Sequence, residues 1–187
     1  MPSGKILAIF VGQPKSYGTP DAHHAHDRVW TSSIIKEMVD GPVWLGETNL
    51  AGDQQADLTV HGGPDKAVNV YSADHYPLWQ TELTLPDFGF GAFGENLVVS
   101  GLTEDTVCID DVYKIGEAIV QVSQPRGPCW KIARRWTMRD LTAKVEHTGR
   151  TGWYLRVLQA GLIEAGQTLE LIERPKPEMT IAKANQS

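Results

Sequence analysis

The sequence predicts a mainly β fold, a β-barrel with a few peripheral helices. Three observations carry that expectation. Short apolar or alternating stretches recur along the 187 residues, glycines punctuate them, and only two or three segments have helical character. An alternating βαβ sheet would need a helix between successive parallel strands, and too few are present. No internal repeat is visible.

Residues 5–11 are a short apolar run ending at Gly12 and Pro14 and predict the first strand; residues 42–45 predict another, with a polar stretch between them. Gly62-Gly63-Pro64 makes a turn, after which Val68, Val70 and Tyr71 continue extended. Ser72 is placed to cap a helix through His75, Leu78, Trp79 and Leu83, with Pro77 in the first turn, where a helix tolerates proline. Residues 84–94 mix Gly and Pro with Phe88, Phe90 and Phe93, a loop pinned by aromatic side chains. Residues 97–99, 107–115, 118–122, 153–158 and 168–172 are β-like, separated by Gly101, Gly116, Gly161 and Gly166. Pro128 suits a first helical position, so Cys129 would open a helix over 129–136. The barrel domain is expected over 1–174. Pro175 and Pro177 then open a tail over 175–187, in which Thr180 caps a helix that has barely begun at Ser187.

Composition narrows the function classes. With 41% hydrophobic and 21% charged residues the chain is sized for one domain with a real core. A net charge of -6 argues against nucleic acid or an anionic membrane as main partner, although Arg126, Lys131, Arg134 and Arg135 form a local cationic cluster. No apolar run approaches the roughly 20 residues that span a bilayer, and the first five residues lack a cleavable signal pattern. A cytoplasmic location and two reduced cysteines are therefore expected.

The segment Pro125-Arg126-Gly127-Pro128-Cys129-Trp130-Lys131 places a thiol among cations where a strand gives way to a helix. Cations and a helix N-terminus both stabilise a thiolate, so Cys129 is the leading candidate for chemistry; a buried packing cysteine is the alternative. Cys108, between Val107 and Ile109 with no cation beside it, reads as packing. The run His61-Gly62-Gly63-Pro64-Asp65-Lys66 can bring backbone N–H groups and a lysine to an anion, or can be an ordinary tight turn; the Walker pattern is absent. In Phe93-Gly94-Glu95-Asn96-Leu97, Glu95 could move a proton and Asn96 could read a heterocycle, or both could cap the turn. Asp53 and Asp57 could orient His61 or be solvated. His23, His24 and His26, with Asp21 and Asp27, meet no metal-ligand spacing and read as a solvated loop, and Trp130, Trp136 and Trp153 read as core or rim.

Taken in order, Asp53-Gln54-x-x-Asp57, Val60-His61-Gly62-Gly63-x-Asp65-Lys66-Ala67-Val68, Phe93-Gly94-Glu95-Asn96-Leu97 and Gln124-Pro125-Arg126-x-Pro128-Cys129-x-Lys131 resemble MOSC-domain proteins of the YiiM type. The resemblance covers about residues 5–172. It implies a β-barrel of the kind found in one domain of pyruvate kinase, a pocket for the molybdenum cofactor (molybdopterin), and Cys129 as molybdenum ligand. His61, Gly62, Gly63, Lys66, Asn96 and Arg126 would line that pocket. The activity implied is reduction of small N-hydroxylated compounds, including base analogues, with electrons from an external redox protein and protons from Glu95, His61 or water. A sulfur carrier with a persulfide on Cys129, or a non-catalytic cofactor-binding protein, are the alternatives. Relatives of this type continue into a small helical extension after a Pro-rich linker; this sequence supplies Pro175 to Thr180 and a few residues more. Substrate identity, electron donor and oligomeric state are not read from these residues.

Overall fold

Seven strands close on themselves because β1 (Gly4–Val11), the first, pairs antiparallel with β12 (Thr168–Glu173), the last, through Gly4 opposite Leu169 and Lys5 opposite Thr168. The computed structural model describes residues 2–187. Between those two strands lie β2 (Lys15–Tyr17), β3 (Trp30–Ser32), β4 (Glu37–Met38), β5 (Val43–Leu45), β6 (Val68–Ser72), α1 (Tyr76–Leu83), β7 (Leu97–Ser100), β8 (Val112–Ile115), β9 (Ala118–Pro125), α2 (Trp130–Trp136), α3 (Leu141–Thr148), β10 (Trp153–Gln159) and β11 (Gly161–Ile163); α4 (Ile181–Ala184) follows. The barrel order is β12-β8-β9-β10-β6-β7-β1, with β4 added beyond β1. Every barrel pair is antiparallel except β6 with β7. The fold is therefore mainly β, with helices as the minority.

Side-chain alternation divides the apolar residues into two cores. Val68 and Val70 on β6, Leu97 and Val99 on β7, and Val120 and Val122 on β9 fill the barrel interior. Tyr71 and Val98, which point the other way, pack outside against Trp79 and Leu83 of α1, Ile132 of α2, and Leu141 and Val145 of α3. A register shift between Ile6 and Ala8 lets β1 serve both cores. Ile6 and Ile9 enter the barrel, while Ala8 and Phe10 meet the helices and the buried ring of Phe93.

Several expectations need correction. Residues 107–115 are not one strand; only Val112–Ile115 is. Asp111 accepts a hydrogen bond from the Cys108 N–H and Asp110 has φ 65, so these acids bend the chain into a turn that competes with a ladder. The polar stretch after Gly12 carries β2, β3 and β4, and Gly161 begins β11, opposite Leu45, instead of separating strands. The helix expected from Cys129 begins at Trp130, with Cys129 as its extended N-cap residue. Helix α3 was not foreseen; its apolar signal is only Leu141 and Val145, one turn apart. Ser72 does cap, accepting from the Asp74 N–H, but the first turn (Ala73–His75) is 3-10 before α1 proper.

The tail docks on the barrel. Ile181 is fully buried in the interior core, its N–H bonds to the Val107 carbonyl, and the Ala182 N–H bonds to that of Glu104. Among the described residues, no helix is long and apolar enough to cross a membrane.

Candidate functional site

A cleft of about 570 Å³ opens over the outer wall of the barrel where β6 and β10 pair. Asn69 and Tyr154 are register partners there, and both line the cleft. The remaining wall comes from segments distant in sequence: residues 32–36, the loop at 53–61, the turn before β7, and the link from β9 to α2. Cys129 sits half-buried where this cleft meets a wider mouth edged by Trp30, Leu58, Val60, Trp130 and Arg134. Its backbone is extended (φ -110, ψ 144), and its carbonyl accepts from the Ile132 N–H, so the thiol is fixed at the helix entrance.

Cations share the cleft with that thiol. Arg126, Lys131, Lys66 and Lys36 all line the cleft. Arg126 is anchored by its N–H to the Gly152 carbonyl and by its guanidinium to the Phe93 carbonyl. Lys66, at the end of the 3-10 turn Pro64–Lys66, donates to the Val60 carbonyl at 2.5 Å and lies 5.7 Å from the Tyr154 ring centroid, bracing the His61 loop. Burial, reinforced by Arg126, Lys131 and Lys66, pushes His61 down to about 4, so its imidazole is neutral at pH 7. Asp57 caps that loop through the Thr59 N–H and hydroxyl, and these bonds hold its carboxyl below the usual range. Gly62 has no room for a side chain, since a Cβ would lie 2.8 Å from Leu58 Cδ2 and 2.9 Å from its Cα. Gly63 adopts φ 95, the left-handed region. The two glycines shape the loop, and His61 and Lys66 supply its face to the cleft.

The structure redistributes the other expected residues. Glu95 is completely buried and turned away from the cleft, accepting from the Gly91 N–H (2.8 Å), the Phe93 N–H (3.1 Å) and the Tyr76 hydroxyl. It organises the aromatic loop of Phe88 and Phe93 and is not placed to serve a substrate. Asn96 lines the cleft with both amide groups already engaged: it accepts from the Asn69 N–H and donates to the Phe10 carbonyl. Asp53 does not orient His61 through any hydrogen bond. It takes the Lys36 ammonium at 2.6 Å and the Gly12 N–H at 2.9 Å on one oxygen. The cationic cluster also divides, because Arg135 is spent on the carbonyls of Ile34, Gly91 and Ala92, whereas Arg134 lies near the rings of Trp30 and Trp130.

Lys36, Asn69 and Tyr154 are among the cleft residues that escaped sequence reasoning. Lys36 lies in the stretch read only as polar, and its sole signal is a charge directly after Ile34-Ile35. Asn69 stands between two core valines and, like Tyr71, faces outward from β6; its Oδ1 is buried without a hydrogen-bond partner among the described residues. Tyr154 is the corresponding outward residue of β10.

The barrel and its cation-rich outer cleft define a class. The chain belongs to the MOSC domain family, whose model matches residues 57–170, from the His61 loop to the start of β12. Within that family it is of the YiiM type. It is 41% identical over 157 residues to the protein YiiM of Escherichia coli (strain K12), covering 82% of this chain and 69% of that one. The crystal structure of YiiM from Geobacillus stearothermophilus superposes with a TM-score of 0.78 at 39% identity, covering 98% of this chain and 82% of that one. A protein of Gibberella moniliformis (strain M3125 / FGSC 7600) named "Reductase" is 42% identical over 154 residues, which are 81% of this chain but 27% of that longer protein.

Proposed function

We propose that this chain binds the molybdenum cofactor in the cleft, with Cys129 as metal ligand, and reduces small N-hydroxylated compounds. The position of Cys129 carries the reading: a fixed, half-buried thiol at the junction of a cation-lined cleft and an open mouth. The residues fit the group. A thiolate is a soft ligand suited to a metal also held by dithiolene sulfurs, and the pterin phosphate calls for cations, which Arg126, Lys131 and Lys66 supply. The unpartnered Asn69 Oδ1 offers an acceptor to a ring N–H. The family and the relative named a reductase support the same reading.

When bound, the cofactor supplies two-electron chemistry. The protein's own residues hold and enclose: Cys129 would hold the metal where cleft and mouth meet, and Arg126, tied to two carbonyls, presents a pre-positioned charge. Neutral His61 offers a hydrogen bond without adding to the cationic field. Trp30 and Trp130, with ring centroids 6.0 Å apart, edge the mouth for a planar substrate. An external redox protein would supply the electrons.

Metal and pterin analysis of the protein purified from a molybdenum-replete host, with turnover driven by a chemical reductant, tests the reading. Both components near one per chain, and amine released from an N-hydroxylated substrate, are expected. Neither metal nor pterin with Cys129 intact overturns it, and a thiol-reducible sulfur adduct on Cys129 would instead indicate a sulfur carrier. Cofactor without turnover would leave a binding protein.

A further inference from the structure

We propose that Lys36, held by Asp53 in the cleft wall, is the acid that protonates the departing hydroxyl when the N–O bond is cleaved; this rests on the reductase reading above. The pair is the most enclosed charge pair in the cleft, with Lys36 and Asp53 side chains 7% and 2% exposed and 2.6 Å apart. Backbone is fitted to it. Gly12 gives its N–H to the same Asp53 oxygen, and a Cβ on Gly12 would lie 3.0 Å from Lys36 Cγ. An ammonium has three N–H donors, and Asp53 takes one; no other hydrogen bond from Lys36 Nζ is present among the described residues. A buried ion pair of this kind is a poor stabilising device compared with apolar packing, and this one stands on the wall of the cleft that Cys129 also lines, where a chemical role accounts for it.

The competing proton sources are weaker. Glu95 is sealed under Tyr76, Gly91 and Phe93, outside the cleft. His61 is neutral at pH 7 and carries no acidic proton to give. Arg126 is committed to the Phe93 carbonyl, and Lys66 to the Val60 carbonyl. Lys131 lies near the Trp130 ring at the mouth. Around Lys36 the charged groups are Asp53, Arg126 and Glu95, with His61, Lys66, Lys131 and Cys129 on the same cleft. Burial, helped by Arg126, draws its ammonium below the ordinary lysine range, while Asp53 and Glu95 pull it back. Such a lysine gives up a proton more readily than a surface one. In the balanced step, R–NH–OH takes up two electrons and two protons, the N–O bond breaks, and R–NH2 and water leave. The electrons come from a one-electron reductant such as a reduced viologen or an iron–sulfur protein. Lys36 gives one proton to the leaving oxygen and solvent supplies the other.

The test uses Lys36→Met, Lys36→Arg, Asp53→Asn and the double variant Lys36→Met/Asp53→Asn, which removes both charges together if the single change strands Asp53 and prevents folding. Metal and pterin content at the wild-type level, with turnover number lowered about 10²-fold or more and KM little changed, is expected for Lys36→Met or the double variant. Lys36→Arg should stay charged yet equally slow. Wild-type turnover should fall on the alkaline side, and Asp53→Asn should move that limb to lower pH, because the carboxylate that keeps the proton on Lys36 is gone. Independently of activity, NMR of lysine labelled with 13C at Cε in the cofactor-free protein should show Lys36 titrating below the other lysines. A fully loaded Lys36→Met or double variant with wild-type turnover and alkaline limb, loss of loading in these variants, or Lys36 titrating with the surface lysines would overturn the proposal. Wild-type protein that takes up no cofactor or turns over no substrate defeats the reductase reading itself, and the wild-type controls separate that failure from the others.

Discussion

Two cysteines in one chain show how placement decides chemistry. Cys129 is open to the cleft, whereas Cys108 is buried against the tail with its sulfur 3.6 Å from the Pro177 carbonyl, and burial pushes its thiol up. Cys129→Ser should abolish reductase turnover with little change in melting temperature, and Cys108→Ser should retain turnover while losing about 1 kcal/mol of stability. Equal loss of turnover in both would overturn these roles. His61 makes a pH-dependent contribution of definite sign. Its folded-state value of about 4 lies below the unfolded value of 6.5, so the unfolded chain binds more protons between those limits and stability falls as pH drops from 6.5 towards 4. His61→Gln should flatten that part of the melting-temperature profile; an unchanged slope would remove His61 as its cause. Cys129, Arg126 and His61 were legible in the sequence because each sits in a short run whose neighbours define its setting. Asp53 was legible as a candidate but its role was not, because its partner Lys36 lies 17 residues away and is by itself one charge in a polar stretch. Glu95 was legible as a site but not in direction, because only the fold shows that Gly91, Phe93 and Tyr76 claim both its oxygens.

At the level of elements, the turn before β7 depends on that carboxylate. Glu95→Gln replaces a two-oxygen acceptor of two backbone N–H groups by one oxygen and an amide, and should cost about 1–3 kcal/mol in denaturant unfolding; a cost below about 0.5 kcal/mol would show the carboxyl group is dispensable. Helix α2 ends at Thr137, whose left-handed φ of 52 strains a β-branched residue. Thr137→Gly should therefore stabilise by about 0.5–1 kcal/mol, and destabilisation would refute that strain. The strands read correctly from the sequence are those with sustained alternation, such as β9, where Ala118, Val120 and Val122 are buried in turn. Missed elements lack such a signal: β4 has two residues, both exposed, and α3 has two buried side chains. At residues 107–111 the apolar alternation was present, but Asp111 offered the backbone a competing partner.

The whole molecule is held by closure of its ends. Ile181 belongs to the same interior core as Ile6 and Leu169, so the tail is part of the barrel's packing. Ile181→Ala should cost about 2–5 kcal/mol, and a loss under 1 kcal/mol would show the tail is merely laid on the surface. The joining of β1 to β12 also has a kinetic consequence. A barrel sealed by its first and last strands must pay the entropy of a nearly full-length loop before those pairs form, which makes folding slow compared with a chain of local contacts. The cleft draws on residues from Ser32 to Tyr154, so on the ribosome a chain that has not yet reached Tyr154 cannot present it, and any ligand it takes must enter after that residue has been synthesised.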